Sequence, residues 1–297
     1  MFTHLHVHTH FSFGGGASSP EALITAALER GFAALACTDT NGVYGAVEFQ
    51  QAAESAGLRP ILGAHLVAGG QEAVVLAEDD RGWAALCRAV SRIHWAGRPG
   101  VSVGRDTDQT TAGWPDRSGG SRRRTLDPAS IPRSDLRAIH RGERSSPEDS
   151  PGRSGQDPAA DLASQLADDR DGLVVLSSDI ALLERVHRLS GPTGLYAELV
   201  PGKSRHAVLA AARRLGIPPV VSGAVHFAHP EDWARHRLLR AIGLNTTLSA
   251  LSATEVSGRD AWLRSTDEIE RHFPDCPQAV ARATEVAERC RYRIPIG

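Results

Sequence analysis

The chain has 297 residues, 41% of them hydrophobic and 5% aromatic, and a formal charge of −2 at pH 7. That length accommodates one large α/β domain or two smaller ones, and the near-neutral charge leaves any attraction for nucleic acid local rather than global. Four scattered cysteines (Cys37, Cys87, Cys276, Cys290) without a CxxC pair argue against a thiolate zinc site; with no signal peptide and no bilayer-length apolar run, the expectation is a cytoplasmic protein without a membrane partner.

The opening "FTHLHVHTHFS" places histidines at 4, 6, 8 and 10. In a strand this alternation sends all four to one face and Leu5 and Val7 to the other, and a row of imidazoles suggests a metal floor. "SSPEALITAALERG" follows with a Ser cap at 18 or 19, Pro20 in the first turn and Gly31 as the stop, a helix signature. Strands are predicted over 32–37, 60–67 and 73–79, with helices over about 43–56 and 81–95 between and after them. Such repetition builds a parallel sheet or barrel.

The pattern breaks at 97–171, where Gly, Ser, Arg, Asp and Pro dominate and too little apolar surface exists to offset chain entropy. This stretch reads as a long disordered insertion within a single domain spanning 1–297, with "DLASQLADDRDG" as a short helix leading back into the fold. Strands resume over 172–179, 194–200 and 217–227, with helices over about 180–190 and 204–216. The rest is helical, capped by Ser265 or Thr266 and broken by Pro274 and Pro277.

Functional side chains of parallel α/β folds gather at the carboxyl ends of strands. There the chain carries His6 and His8 with His10 beyond, Thr38-Asp39-Thr40, His65 with Glu72 near it, Asp179, and His226 with His229 behind it. Mixed imidazoles and carboxylates suit Zn, Mn or Fe and the hydrolysis of phosphate esters. His4, deeper in the first strand, reads as a hydrogen-bonded core residue.

The segments "HLHVHTHFS", "ALACTDTNGVYGAVEF", "AGLRPILGAHL", "VVLAEDDRGWAALCRAVSRIH", "DGLVVLSSD", "VHF" and "STDEIERHFPDCPQAVARATEVAERC" occur in the order found in PHP (polymerase and histidinol phosphatase) domains. The chain resembles most the form at the N-terminus of the bacterial DNA polymerase III alpha subunit, including error-prone relatives. The resemblance implies an α/β fold, a distorted (β/α)7 barrel with a metal cluster at the strand ends. It also implies phosphoester hydrolysis, in some polymerases as a 3′–5′ exonuclease. The family's HxH pair matches His6 and His8, and its last-strand histidine matches His226. His65 stands where the family has glutamate, Glu72 where it has histidine, and Asp179 where it has cysteine or histidine. Thr40, Ala224 and Gly15 replace stronger ligands, while Asp39 remains. Glu198 matches a family glutamate and reads as structural.

Two readings follow. In one, His6, His8, His65, Glu72, Asp179 and His226 hold one or two divalent ions for hydrolysis of a DNA end or another phosphoester, with Asp39 or His10 as general base or orienting group. In the other, the barrel is a non-catalytic scaffold that docks DNA polymerase or repair subunits. The family's polymerase core begins where "RCRYRIPIG" ends, so these residues are expected to carry none of it.

Overall fold

Residues 2–95, 161–202 and 205–296 are described by a computed structural model. The polypeptide opens with an extended segment, followed by α1 (Pro20–Glu29), β1 (Ala34–Cys37), α2 (Ala46–Ser55), β2 (Arg59–Ala68), β3 (Gln71–Ala77) and α3 (Asp80–Trp95). After 160 come α4 (Leu162–Asp168), β4 (Leu173–Ser177), α5 (Ile180–Ser190), β5 (Leu195–Leu199), α6 (Arg205–Leu215) and β6 (Pro219–Val221). Three further helices, α7 (Trp233–Gly243), α8 (Thr266–His272) and α9 (Pro277–Arg289), complete the described chain.

The six strands form one sheet in sequence order. β1–β2, β4–β5 and β5–β6 pair in parallel, but β3 is antiparallel to both β2 and β4, which corrects the expectation of a purely parallel sheet. The reason is local. Only Gly69 and Gly70 separate Ala68 from its partner Gln71, and both have positive φ (57° and 78°), the geometry of a tight hairpin turn. Two residues cannot make a parallel crossover, which takes a dozen or more. The hairpin brings the amino end of β3, with Glu72, to the rim where β2 carries His65.

The opening segment joins the two edges of this sheet, giving the distorted barrel. On one side the His4 and Val7 carbonyls accept from Ala36 N (3.1 Å) and Thr38 N (2.9 Å). On the other, His8 N donates to Val225 O (2.8 Å) and Val225 N to His6 O (2.9 Å). The predicted strand over 217–227 is shorter than expected. Regular pairing ends at Val221, and Ala224 takes φ 43°, a left-handed conformation that interrupts extended backbone. Beyond it Val225 and Phe227 make single bridges, to Val7 and Trp262.

The strands are buried almost throughout, as expected where helices cover a sheet closed on itself. Helix limits follow sequence chemistry. Ser19 caps α1 by accepting from Ala22 N (3.2 Å), and Ser265 and Glu268 form a reciprocal capping box on α8. Of the 97–171 stretch, 97–160 lies outside the described residues. Its end is ordered: Asp161 caps α4, whose Leu162, Ala163 and Leu166 are buried, and Asp169 pairs with Arg88 at 2.7 Å. All four cysteines are free.

His4 is fully buried, edge-on to Phe2 and Phe32, with Nε2 at 2.8 Å from the Arg264 carbonyl. Burial outweighs that hydrogen bond and pulls its pKa down to about 4. The folded value lies below the unfolded one, near 6.5. His4 therefore contributes stability fully present above pH 6.5 and lost as pH falls towards 4. Urea midpoints at pH 7 and pH 5 should show His4→Gln losing about 2 kcal/mol of the wild-type pH dependence. An unchanged difference would mean His4 titrates normally.

Candidate metal centre

Strand alternation puts His6 and His8 on one side of the opening segment, and β2 delivers His65 to the same point. Nitrogen atoms of these three imidazoles lie within 4.8 Å of one another. Ring centroids are 4.9 Å apart for His6–His8, 4.7 Å for His6–His65 and 5.3 Å for His8–His65. His226 stacks on His8 at 4.4 Å with planes inclined by 19°, outside the three-nitrogen group. The left-handed turn at Ala224, followed by the Val225–Val7 bridge, brings its ring there.

Each ring is tied from behind. The Asp39 carboxylate accepts from Thr9 N (2.7 Å), Thr9 Oγ1 (2.8 Å) and Ser12 Oγ (2.6 Å). Because Ser12 spends its only proton on Asp39, its oxygen must accept from His8 Nδ1 at 3.0 Å. Glu198, buried on β5, takes the Nδ1 proton of His6 at 2.8 Å and the Ser222 hydroxyl proton at 2.5 Å. Burial opposes ionisation of Glu198, but His6 and Ser222 outweigh it and hold its carboxyl below the usual range. His226 donates Nδ1–H to Gly15 O at 2.9 Å. All three rings thus turn Nε2, as a lone-pair donor, away from their anchors. Such carboxylate and carbonyl partners fix the tautomer of metal-binding histidines.

The donor set fits a cation. His6 Nε2 and His8 Nε2 are 3.0 Å apart with the Nδ1 atom of each ring bonded elsewhere, so two neutral rings would face one another with their lone pairs. Burial, then the neighbouring imidazoles of His226, His6 and His65, push the His8 pKa well below normal. Burial likewise lowers His65, against the opposing Glu72 carboxylate, and takes His226 down to about 3. Neutral imidazoles are the form that binds metal. Two nitrogens each about 2.0–2.1 Å from one tetrahedral zinc ion sit roughly 3.3–3.4 Å apart, a few tenths of an ångström wider than the observed 3.0 Å.

Residues 4–112 match the family model described as PHP domain. The chain is 30% identical over 290 residues to an error-prone DNA polymerase of Anaeromyxobacter sp. (strain K), covering 96% of this chain and 22% of that protein. It is 31% identical over 325 residues to an error-prone DNA polymerase of Nocardia farcinica, covering 99% of this chain and 27% of that one. Over residues 4–112 the chain is similar to the PHP domain family. It spans about a quarter of the length of these polymerases. Among solved structures, an amidohydrolase from Chromobacterium violaceum with bound sulfate aligns at TM-score 0.42 and 19% identity, over 76% of this chain and 88% of that one. Among the described residues no helix is long and apolar enough to cross a membrane.

The remaining expected site residues are placed unevenly. Glu72, diagonal to His65 across the hairpin, approaches its Nε2 to 3.7 Å from a half-exposed position. Asp179 is not brought into the three-nitrogen group; it is the N-cap of α5 and accepts from Leu182 N at 3.1 Å. An aspartate directly before a helix is a favoured cap, and that chemistry explains its position. His10 is exposed, with its ring against Phe11. Asp39 is buried behind His8, and its oxygens are occupied by the donors that hold the loop. Thr40 Oγ1 lies 3.4 Å from His8 Nδ1.

Three supporting residues were not assigned to the site from sequence. Glu198 had a readable signal, a carboxylate inside an otherwise apolar buried strand. Ser12 and His236 had none. His236, on α7, is buried 5.6 Å from the His226 ring and accepts from Ser257 N at 3.1 Å.

Replacing Glu198 by Gln or Ser12 by Ala should weaken divalent-ion binding by about 10- to 100-fold, because the facing ring loses its fixed tautomer. Titration calorimetry with Zn or Mn, alongside circular dichroism to verify folding, measures this. Wild-type affinity in both variants would show that the anchors do not orient the rings.

Proposed function

We propose that this chain forms a PHP domain that acts as a metal-dependent phosphoesterase on phosphodiester substrates such as a DNA end, in association with DNA polymerase or repair subunits. The observation that carries the metal part is the pair of Nε2 atoms 3.0 Å apart with the Nδ1 atom of each ring bonded elsewhere. His6, His8 and His65 are the proposed principal ligands, with His226 and Glu72 beside them. A catalytic centre needs about three protein ligands and an open position, and three converging imidazoles meet that count. When bound, a divalent ion supplies a Lewis acid for a phosphoryl oxygen and draws the pKa of water towards neutrality.

The chain's own groups do the positioning. Asp39 acts through Ser12 to orient His8, the orienting role open to it from sequence, while its oxygens are committed to four donors, Cys37 Sγ at 3.5 Å among them. His6 is held in the same way by Glu198. The polymerase association rests on the relatives' identity across nearly the whole chain.

A second reading, a docking scaffold without catalysis, is favoured by the absence of a strong ligand side chain at Thr40 and Ala224 and by the capping role of Asp179. The two separate on one experiment. Metal-loaded protein should hydrolyse a generic phosphodiester and a single-stranded DNA end; His8→Ala should lose at least 100-fold of that rate and His10→Ala should keep it. Stoichiometric metal binding without turnover would support the scaffold reading instead. Elemental analysis of Ala224→Asp offers a further check. Asp tolerates the left-handed backbone there better than most residues. The variant should carry more metal per chain than the wild type, and equal content would place residue 224 outside reach of the ion.

A further inference from the structure

Away from the histidine centre, a recess of about 540 Å³ is lined by Trp262, Arg264, Glu268, Arg271 and His272. Its volume falls within the range of small-molecule sites, about 300–1,000 Å³. Arg264 is the unusual member. It is only 3% exposed, its side chain makes no hydrogen bond among the described residues, and its Nη1 is buried with no partner. The one carboxylate near it, Asp260 Oδ2, stands 3.4 Å from Nη2 and belongs to a side chain 46% exposed. Glu268, whose Oε2 accepts from Ser265 N (2.9 Å) and Ser265 Oγ (2.8 Å) in the capping box, feels the charges of Arg264 and Arg271 but makes no direct ion pair with either among the described residues.

A guanidinium taken out of water is costly unless it is paired and its donors are satisfied. Arg264 has one long ion pair and a cation–π contact with Trp262, 5.9 Å to the ring centre, and none of its five N–H donors makes a hydrogen bond among the described residues. Arg271, exposed on α8, donates through Nε to its own helix at Asp267 O (3.2 Å) and has no ion pair among the described residues. Arg30, ion-paired with Glu29 at 4.0 Å, lies outside the lining, 5.6 Å from the centre of the Trp262 ring. Two arginines and an indole therefore wall a recess that holds one acid, Glu268.

We propose that this recess is a binding site for a phosphate group, with Arg264 and Arg271 as its cations. The planar guanidinium fork matches two oxygens of a phosphate, and an anion there would supply the partner that Arg264 lacks. The site is separate from the histidine centre and does not depend on catalysis there. Its ligand is a phosphoryl oxyanion, either free phosphate or the phosphate of a nucleotide.

Titration calorimetry on the full chain, stripped of metal and kept in EDTA at constant ionic strength, tests this with two probes, inorganic phosphate and deoxythymidine 5′-monophosphate. Saturable one-to-one binding of either is expected, retained in His8→Ala and weakened at least tenfold in Arg264→Gln and in Arg271→Gln. Should Arg264→Gln fail to fold, Arg271→Gln, on an exposed helix face, decides alone. Equal affinity for the two probes identifies the free anion as sufficient, and tighter nucleotide binding identifies an esterified phosphate. Absence of saturable binding, binding indifferent to the arginine substitutions, or loss of binding in His8→Ala would each overturn the proposal.

Discussion

The structure depends on the hydrogen bonding of one extended segment on both of its edges. Residues 4–8 accept from β1 on one side and exchange bonds with Val225 on the other. Without this segment the six-stranded sheet has two open edges, each a row of unpaired backbone groups. With it, β1 is joined to Val225, four residues past the end of β6. The same residues carry His6 and His8, so the fold and the proposed metal centre share one element. A change that loosened the barrel there would move the imidazoles as well.

Around that element the site is built in two layers. The inner layer is imidazole, and the outer is a set of acceptors: Glu198 for His6, Ser12 backed by Asp39 for His8, and the Gly15 carbonyl for His226. The outer layer determines which nitrogen of each ring is a donor of electrons. Burial then keeps the rings neutral, as the lowered values of His8, His65 and His226 show. The positions with weaker side chains have been absorbed structurally. Thr40 bridges to His65 through the backbone, and Gly15 serves His226 through its carbonyl.

Much of the architecture was legible from local chemistry. Ser18 or Ser19, Pro20 and Gly31 mark α1, Ser265 or Thr266 marks the start of α8, and short apolar runs mark β1 to β5, because caps and burial patterns are properties of neighbouring residues. The direction of β3 was missed although its cause is equally local, the Gly69-Gly70 turn, since a strand's burial pattern looks the same in either direction. The shortening of β6 turns on the backbone of Ala224, a residue type that rarely adopts positive φ and so carries no warning.

By itself the sequence determined that imidazoles alternate along the opening segment and that short strands and helices follow it, while His65, expected at a strand end, lies within β2 and His226 lies beyond β6. It could do so because alternation and amphipathicity are short-range. Only the tertiary structure decided that His6, His8 and His65 share a point, that His226 stacks behind them, and that Asp179 caps a helix instead. It also turned Glu198 from a strand residue into the anchor of His6 across 192 positions of sequence. Such pairings depend on how the sheet curls and which edge the first segment enters, and no window of neighbouring residues encodes that.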